Sequence, residues 1–240
     1  MEHAPSTPSA CAGSPVDNRV ASADTRATAT TGSTASPRVA LVTGAGKRLG
    51  RAIALALAQD GWDIGVHCRD SVAEAEQTVE EIRALGRRAV VLQANLDDAG
   101  PCQTLVPRLA DALGPVSGLV NSASRFEYDD IRSFTPESLH EHLLPNLMAP
   151  LLLAQSLVSQ LPAAPVQGVI VNLLDQKLFN LNPDFLSYTL SKAALSTATT
   201  MLAQALAPRM RVVGVAPGLT LPSYLQDEAA FAHAHRTLSP

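Results

Sequence analysis

From residue 38 onward, short apolar runs alternate with longer segments whose apolar residues recur every three or four positions. The short runs are typical of strands buried on both faces, and the longer pattern is typical of amphipathic helices. The runs predict strands over 39–43, 63–67, 89–93, 118–121, 168–174 and 210–216. The helical patterns cover about 49–60, 72–85, 101–113, 137–160 and 187–206. This alternation predicts an α/β fold, a doubly wound parallel sheet in a single domain.

The first part of the chain has a different character. Residues 1–37 are mostly Ala, Ser, Thr and Pro without an apolar period, which predicts a disordered leader ahead of a domain over 38–240. Arginines among its hydroxyl residues resemble a transit peptide, whereas its acidic residues argue against one. A start codon placed too early in the gene is an equal alternative.

The first strand leads directly into a glycine-rich turn, Gly44-Ala-Gly-Lys-Arg-Leu-Gly50, and then into a helix that Gly61 is placed to end. Such a turn aims free backbone N–H groups and the positive end of a helix dipole at one point, where a pyrophosphate can bind. A purely structural turn is the alternative. The strand before the turn and the helix after it favour a Rossmann-type nucleotide site.

The second strand ends in Cys68-Arg69-Asp70-Ser71. A carboxylate at this point holds the ribose 2′-hydroxyl of NAD, whereas a basic residue receives the 2′-phosphate of NADP. Arg69 is nearer to the required position than Asp70, which favours NADP(H). Ser71 and Glu74 have the spacing of a capping box, which predicts that Ser71 also caps the following helix.

Candidate catalytic residues follow the fifth strand. Asp175 stands directly after that strand, and Tyr188 and Lys192 lie one turn apart at the start of the last predicted helix. Because i and i+4 share a helix face, the Lys192 ammonium is expected to approach the Tyr188 phenol and lower its pKa. The alternatives are a surface pair for Tyr188 and Lys192 and a turn cap for Asp175.

Together these motifs resemble the short-chain dehydrogenase/reductase family, whose usual turn is Thr-Gly-x-x-x-Gly-x-Gly. Arg48 replaces the middle glycine, and Gly-x-x-Lys-Arg-Leu-Gly is similar to the turn of pteridine reductases. Asn121-Ser-Ala-Ser124 resembles the Asn-x-Ala-Ser variant of the same branch. Asp175 replaces the usual serine, and a carboxylic acid can protonate a pterin ring nitrogen. The resemblance runs from about residue 38 to residue 223.

The resemblance implies NADPH as the cofactor, with His67, Arg69 and Ser71 closing on its 2′-phosphate and Asn95 meeting the adenine. For Asn95 and Ser122 the alternative is an ordinary polar loop residue. The implied cofactor-binding residues are Gly44, Lys47, Arg48, Leu49, Gly50, His67, Arg69, Ser71, Asn95, Leu96, Asn121, Ser122, Ala123, Tyr188, Lys192, Pro217 and Gly218.

The resemblance also implies the residues that meet the substrate. Asn146 matches a family asparagine that holds a water for proton relay, although it could be a kink residue between two prolines. Phe126 is expected to stack on the pterin, although it could belong to the core. The implied catalytic residues are Asp175, Tyr188, Lys192 and Asn146, and the implied substrate-binding residues are Arg48, Ser124, Phe126, Asp175 and Tyr188.

The implied activity is an NADPH-dependent reduction of a dihydropterin or dihydrofolate to the tetrahydro form. The alternatives are a general carbonyl reductase, for example of 3-oxoacyl thioesters, and a non-catalytic NADP-binding remnant. A net charge of −4 without a basic stripe argues against a nucleic-acid partner. Three cysteines without metal-ligand spacing argue against a metal site and fit the cytoplasm.

The remaining expectations concern assembly and the chain end. Pro, Asn and Gln within 143–161 argue against a membrane span. The apolar helices 137–160 and 187–206 correspond to the family's helical seam, which implies a homodimer or homotetramer. Family members continue into a lid and a seventh strand, whereas this chain stops at Pro240. We therefore expect about six strands with the usual seventh missing, one lid helix at 223–235, and an exposed edge on the sixth strand. With that edge, the chain alone is expected to be aggregation-prone, low in activity, or completed by a partner's strand.

Overall fold

Six parallel strands form one sheet in the computed structural model, which describes residues 38–161, 168–218 and 220. The strands are β1 (Arg38–Val42), β2 (Trp62–Cys68), β3 (Ala89–Gln93), β4 (Val116–Asn121), β5 (Gly168–Leu173) and β6 (Met210–Val215). Their order is β3-β2-β1-β4-β5-β6, so the direction of winding reverses between β1 and β4. This order confirms the predicted Rossmann-type sheet, and ligands bind at such a reversal. The predicted leader and lid helix lie outside the described residues.

The helices agree with the predicted ones to within two residues, except in the middle of the chain. They are α1 (Arg48–Gln59), α2 (Val72–Ala84), α3 (Ala99–Leu113), α4 (Pro136–Leu143), α5 (Ala149–Gln160) and α6 (Leu186–Leu206). The predicted helix 137–160 is interrupted by a π-helical turn, Leu144–Met148. Pro145 cannot donate the usual backbone hydrogen bond, so the chain widens there. No described helix is long and apolar enough to cross a membrane.

The sheet is buried on both faces because its strands carry apolar residues on both sides. Along β1, Val39 and Leu41 join the core shared with α3 and α5, whereas Ala40 and Val42 join the core under α1 and α2. All four side chains are at most 1% exposed. This two-sided burial explains the uninterrupted apolar run in the sequence. Within the described residues, β6 forms the sheet edge on the β5 side.

Two local predictions have opposite outcomes. Gly61 has φ +89° directly after α1, which confirms its predicted left-handed stop. The capping box at α2 is wrong: Ser71 occupies the N-cap position, but its side chain makes no capping hydrogen bond. Glu74 turns away from it to the glycine-rich turn, where its Oε1 lies 2.6 Å from Lys47 Nζ.

Candidate active site

A cleft of about 1190 Å³ lies over the carboxyl ends of the central strands. Its lining includes every predicted cofactor, substrate and catalytic residue except Asn121 and Asn146, whose side chains are buried beneath it. Residues of the glycine-rich turn line one part of the cleft, and Asp175, Tyr188 and Lys192 line another. The structure therefore brings together two groups of residues that are far apart in sequence.

The Thr43 hydroxyl group helps to hold the start of the glycine-rich turn against the end of β4. Thr43 Oγ1 accepts hydrogen bonds from the backbone N–H groups of Ser122 and Ala123, both at 3.0 Å. Gly44 adopts φ +65°, and a Cβ added there would lie 3.0 Å from the Ala123 backbone. The turn therefore needs glycine at this position both for its conformation and for its close approach to β4.

Arg48 also adopts a left-handed conformation, with φ +48°, at the position where the family usually has glycine. This conformation costs a non-glycine residue about 1–2 kcal/mol. Backbone strain of this kind is found where a side chain serves a function. Arg48 lines the cleft. Its contact with both cofactor and substrate stays a prediction.

His67 lies in a different environment from the predicted one. Its Nδ1 accepts the Gly44 N–H at 3.1 Å, and its Nε2 lies 3.2 Å from the Ala94 carbonyl oxygen, to which it donates. The ring is 1% exposed, and burial lowers its pKa to about 4. Since the ring is neutral and both nitrogens are engaged, His67 holds the glycine-rich turn instead of carrying charge to a phosphate.

This environment predicts a pH dependence of stability. The ordinary pKa of His67 is 6.5, so below that pH His67 is protonated in the unfolded chain. In the folded chain its pKa is about 4, so His67 stays neutral down to about pH 4. The free energy of unfolding should therefore fall between pH 6.5 and 4, with a contribution from His67 of up to about 3 kcal/mol. Urea unfolding across this range measures the loss.

A His67→Gln variant provides the control, because its amide keeps a donor and an acceptor but does not titrate. Carboxylates elsewhere contribute equally to both proteins. The stability of the variant should therefore decline less steeply with acid than that of the unaltered chain. Equal slopes for the two proteins would show that His67 is not the group responsible.

Tyr188 of the predicted Tyr188–Lys192 pair is hydrogen-bonded to Asp175, which is also a predicted catalytic residue. The Tyr188 hydroxyl donates to Asp175 Oδ2 at 2.6 Å, and Asp175 Oδ1 accepts the Lys177 N–H at 2.7 Å. Asp175 thus caps the short 3₁₀ helix Gln176–Phe179 and contacts the phenol at the same time. The two interpretations of Asp175 from the sequence are therefore compatible, one for each carboxylate oxygen.

The expected effect of Lys192 on Tyr188 does not occur in this arrangement. Burial and the hydrogen bond to Asp175 raise the pKa of Tyr188 above its ordinary value. Lys192 Nζ donates to the Leu173 carbonyl oxygen at 2.8 Å and lies 5.8 Å from the centre of the Tyr188 ring. Burial lowers the pKa of Lys192 to about 8. Tyr188 therefore retains its proton at neutral pH.

Asn146 differs from the predicted water-holding residue in that its side chain is fully occupied within the protein. Oδ1 accepts from the Arg125 N–H at 2.8 Å and from Ser124 Oγ at 3.1 Å. Nδ2 donates to the Arg125 carbonyl oxygen at 3.0 Å and to Ser191 Oγ at 2.9 Å. The Asn146 side chain therefore joins the loop after β4 to α6, and has no position left for a water.

Asn121 likewise has an internal partner where a cofactor contact is predicted. Its side chain is 3% exposed, and Nδ2 donates to Asn172 Oδ1 at 2.8 Å. Asn172 in turn donates to Thr199 Oγ1 at 2.9 Å. These bonds connect β4, β5 and α6 below the cleft, so the Asn121 side chain supports the site from beneath.

An aromatic wall of Phe126, Phe185 and Tyr128 lies beside the Tyr188 ring, and the sequence predicts only Phe126 from it. The rings of Phe126 and Phe185 stack with centroids 4.4 Å apart and planes 9° apart. The rings of Phe126 and Tyr188 meet edge to face with centroids 4.7 Å apart, and those of Tyr128 and Phe185 do so at 5.2 Å. Phe185 was missed because no spacing rule connects it with Phe126. The scarcity of aromatic residues, 4% of the chain, was the available signal.

Comparisons with known proteins agree with this geometry. Residues 38–231 match the family described as short chain dehydrogenase. The crystal structure of FolM alternative dihydrofolate reductase 1 from Brucella canis, complexed with NADP, is 40% identical, with a TM-score of 0.80. The alignment covers 84% of this chain and 80% of that one.

Two curated relatives have other descriptions. An uncharacterized oxidoreductase of Methylorubrum extorquens is 35% identical over 75% of this chain and 72% of its own length. A 3-oxoacyl-(acyl-carrier-protein) reductase of Staphylococcus aureus is 32% identical over 75% of this chain and 73% of its own length. The fold, the Tyr188–Lys192 pair and these matches agree: the chain belongs to the short-chain dehydrogenase/reductase family, with the resemblance to its pteridine reductase-like branch confirmed.

Proposed function

We propose that this protein is an NADPH-dependent reductase that converts a dihydropterin or dihydrofolate to the tetrahydro form. The observation that carries the proposal is the 2.6 Å hydrogen bond from Tyr188 to Asp175 beside the aromatic wall of Phe126. The phenol carries a proton at neutral pH that a substrate nitrogen can take, and the neighbouring carboxylate can accept a hydrogen bond from the substrate in its place. The flat face of a phenyl ring is suited to a flat heterocycle.

The residues of the cleft fit NADPH. The turn from Gly44 to the N-terminus of α1 offers backbone N–H groups and a positive dipole for a pyrophosphate. Lys47, Arg48 and Arg69 place cations along the same part of the cleft. The FolM structure from Brucella canis is described as complexed with NADP, which supports the same cofactor here. Bound NADPH would supply the hydride.

The chain's own residues would supply the proton to the substrate. Reduction of a C=N bond requires a proton at nitrogen as well as a hydride at carbon. The Tyr188 hydroxyl is the proton source: its one proton is donated to Asp175 Oδ2 in this structure, and it would pass to the substrate nitrogen once a substrate N–H takes that place on Asp175. Asp175 also faces the cleft and can accept a hydrogen bond from an N–H of the substrate. Phe126 would hold the ring plane against the nicotinamide side of the cleft.

A general carbonyl reductase remains the second candidate, because the 3-oxoacyl reductase relative covers three quarters of this chain. The two activities are distinguished by NADPH oxidation with three substrates in parallel: dihydrobiopterin, dihydrofolate and an acetoacetyl thioester. Turnover of either dihydropteridine supports the proposal. Turnover of the thioester alone would overturn it, and binding of NADPH without any turnover would indicate a non-catalytic protein. A homodimer or homotetramer stays a prediction, which sedimentation of the same sample measures.

Cofactor preference gives a prediction for Arg69. Its guanidinium pairs with Asp70, Nε to Oδ2 at 2.7 Å, and is 59% exposed at the cleft. A 2′-phosphate that replaces this partner gains a charge-assisted pair, so NADPH should bind at least about tenfold more tightly than NADH. Arg69→Ala should remove most of that preference. Fluorescence titration with both cofactors measures it.

Arg83→Ala serves as the matched control, because Arg83 pairs with Glu80 and lies outside the cleft lining. It should leave both affinities unchanged. Equal binding of NADPH and NADH by the unaltered chain would refute the assignment of Arg69. A preference that survives in Arg69→Ala would locate the phosphate-binding group elsewhere.

A further inference from the structure

A carboxylate outside the cleft lining holds the start of the catalytic helix. Asp129 lies in the loop after β4 and is 4% exposed. Its Oδ1 accepts the Ser187 N–H at 2.9 Å, and its Oδ2 accepts from the Ser187 hydroxyl and, at 2.9 Å, from Ser138 Oγ. Its backbone oxygen accepts the Leu186 N–H at 3.2 Å. We call Asp129, Ser138 and Ser187 the aspartate clamp.

The aspartate clamp supplies the capping groups that α6 lacks in its own sequence. The N-cap residue is Phe185, whose side chain cannot accept a hydrogen bond, and α6 has no acidic residue in its first turn. The first N–H groups of a helix need acceptors, and a negative charge beside them interacts favourably with the helix dipole. Asp129 meets both needs from another segment of the chain.

The environment of Asp129 keeps it ionised. Burial opposes the charge, but the hydrogen bonds from Ser187 and Ser138 outweigh it, so the pKa of Asp129 lies below its ordinary value. The ring of His142 accepts the Glu127 N–H at 3.2 Å, which fixes the same loop two residues before Asp129.

Asp129 holds Leu186 and Ser187, and the residues that flank these two, Phe185 and Tyr188, belong to the proposed site. Phe185 has φ +58° and ψ +50°, a left-handed conformation that a phenylalanine rarely adopts. In that conformation its ring stacks on Phe126 at 4.4 Å. Tyr188 directly follows Ser187 and points its hydroxyl at Asp175. An unfavourable backbone conformation persists only where surrounding contacts enforce it, and the bonds to Asp129 are those contacts.

We propose that Asp129 is a positioning residue: by fixing Leu186 and Ser187 it holds the Phe185 ring against Phe126 and the Tyr188 hydroxyl against Asp175. The proposal rests on Tyr188 being the proton donor of the proposed function. It assigns to Asp129 no contact with substrate or cofactor. Its effect is on the geometry of two neighbouring residues, so its loss should alter substrate affinity and turnover but not cofactor affinity.

The test compares Asp129→Ala with the unaltered full-length chain. Because small displacements of a catalytic group have large effects on rate, kcat should fall about tenfold to a hundredfold. KM for the dihydropteridine should rise as the aromatic wall loosens, whereas the dissociation constant of NADPH should stay within about twofold. Hydrogen exchange of the amides in 185–190 should speed up by at least about tenfold, since the side-chain acceptor of the Ser187 N–H is gone and the first turn of α6 is no longer fixed.

Two further variants keep the result interpretable. Asp129→Asn keeps the volume and one acceptor for the Ser187 N–H, so it should recover most of the lost kcat. Asp130→Ala is the matched control: the neighbouring carboxylate accepts the N–H groups of Arg132 and Ser133, away from α6, and its loss should leave kcat unchanged. If Asp129→Ala does not fold, Ser187→Ala is measured in its place: it removes the hydroxyl bond to Asp129 and should lower kcat and speed exchange in 185–190 in the same direction.

A lower melting temperature with kcat, KM and exchange in 185–190 unchanged per folded molecule would overturn the proposal, because Asp129 would then be merely structural. The same holds if Ser187→Ala leaves kcat, KM and exchange in 185–190 unchanged. If none of the three substrates is turned over, the proposed function fails, whereas exchange in 185–190 still decides whether Asp129 fixes the start of α6. The two failures are therefore distinguishable.

Discussion

We expect Tyr188→Phe to lower kcat for a dihydropteridine by at least about a hundredfold, the usual scale for losing a positioned proton donor. The substitution removes one hydroxyl group and leaves the ring that meets Phe126 at 4.7 Å. The Asp175 carboxylate loses the hydrogen bond from Tyr188 but still accepts the one from the Lys177 N–H. NADPH affinity should change little. Single-turnover kinetics at saturating NADPH, compared with a cofactor titration, separate the two quantities.

Tyr128→Phe is the matched control for this experiment. Tyr128 belongs to the same aromatic group, meeting Phe185 at 5.2 Å, but it is 61% exposed and does not contact Asp175. Its kcat should stay within about threefold of the unaltered value, since it moves no proton. A Tyr188→Phe enzyme as active as Tyr128→Phe would remove Tyr188 from the proton pathway.

Asp175→Asn separates the charge of Asp175 from its geometry. The amide oxygen can still accept from Tyr188, and the turn can still form, but the negative charge is lost. Because Asp175 is proposed to orient the donor and to meet a substrate N–H, kcat should again fall about a hundredfold. Full activity of Asp175→Asn on a dihydropterin would require its catalytic role to be dropped.

Much of the fold could be predicted because each element carries its own signal. The apolar run of β1 has no polar residue after Arg38, the run of β5 has only Asn172, and Gly61 marks the end of α1 where the pattern also ends. Such local signals identify elements and their order. The order in turn places the strand ends together, which is why the lining of the cleft could be named from motifs.

The roles of particular side chains were harder to predict, because they depend on contacts between distant segments. In the sequence, His67 stands among the residues expected to bind a phosphate. In the structure, the alternation of side-chain directions along β2 turns its ring towards Gly44. Lys192 lies on the predicted face of α6, but Asp175 reaches the Tyr188 hydroxyl instead. Asp129 had no motif at all, because a cap supplied by another segment leaves no local spacing in the sequence.

Gly50→Ala should abolish most cofactor binding, with the NADPH dissociation constant rising at least about a hundredfold, because uncompensated overpacking costs about 1–3 kcal/mol or more. A Cβ at Gly50 would lie 2.2 Å from the Gly44 carbonyl oxygen and 2.8 Å from its carbon. Both are backbone atoms of the turn, so relief requires the turn itself to open. Alanine's higher helix propensity offers only about 1 kcal/mol in return.

Gly100→Ala isolates that clash from the general effect of adding a methyl group. Gly100 lies in α3, and an added Cβ there meets nothing within 4 Å. Its melting temperature should stay the same or rise slightly, and its NADPH affinity should be unchanged. Fluorescence titration and thermal unfolding of the two variants, side by side, measure both effects. NADPH affinity in Gly50→Ala within about threefold of the control would show that the turn tolerates a wider spacing, and that the phosphate site does not depend on the contact between Gly44 and Gly50.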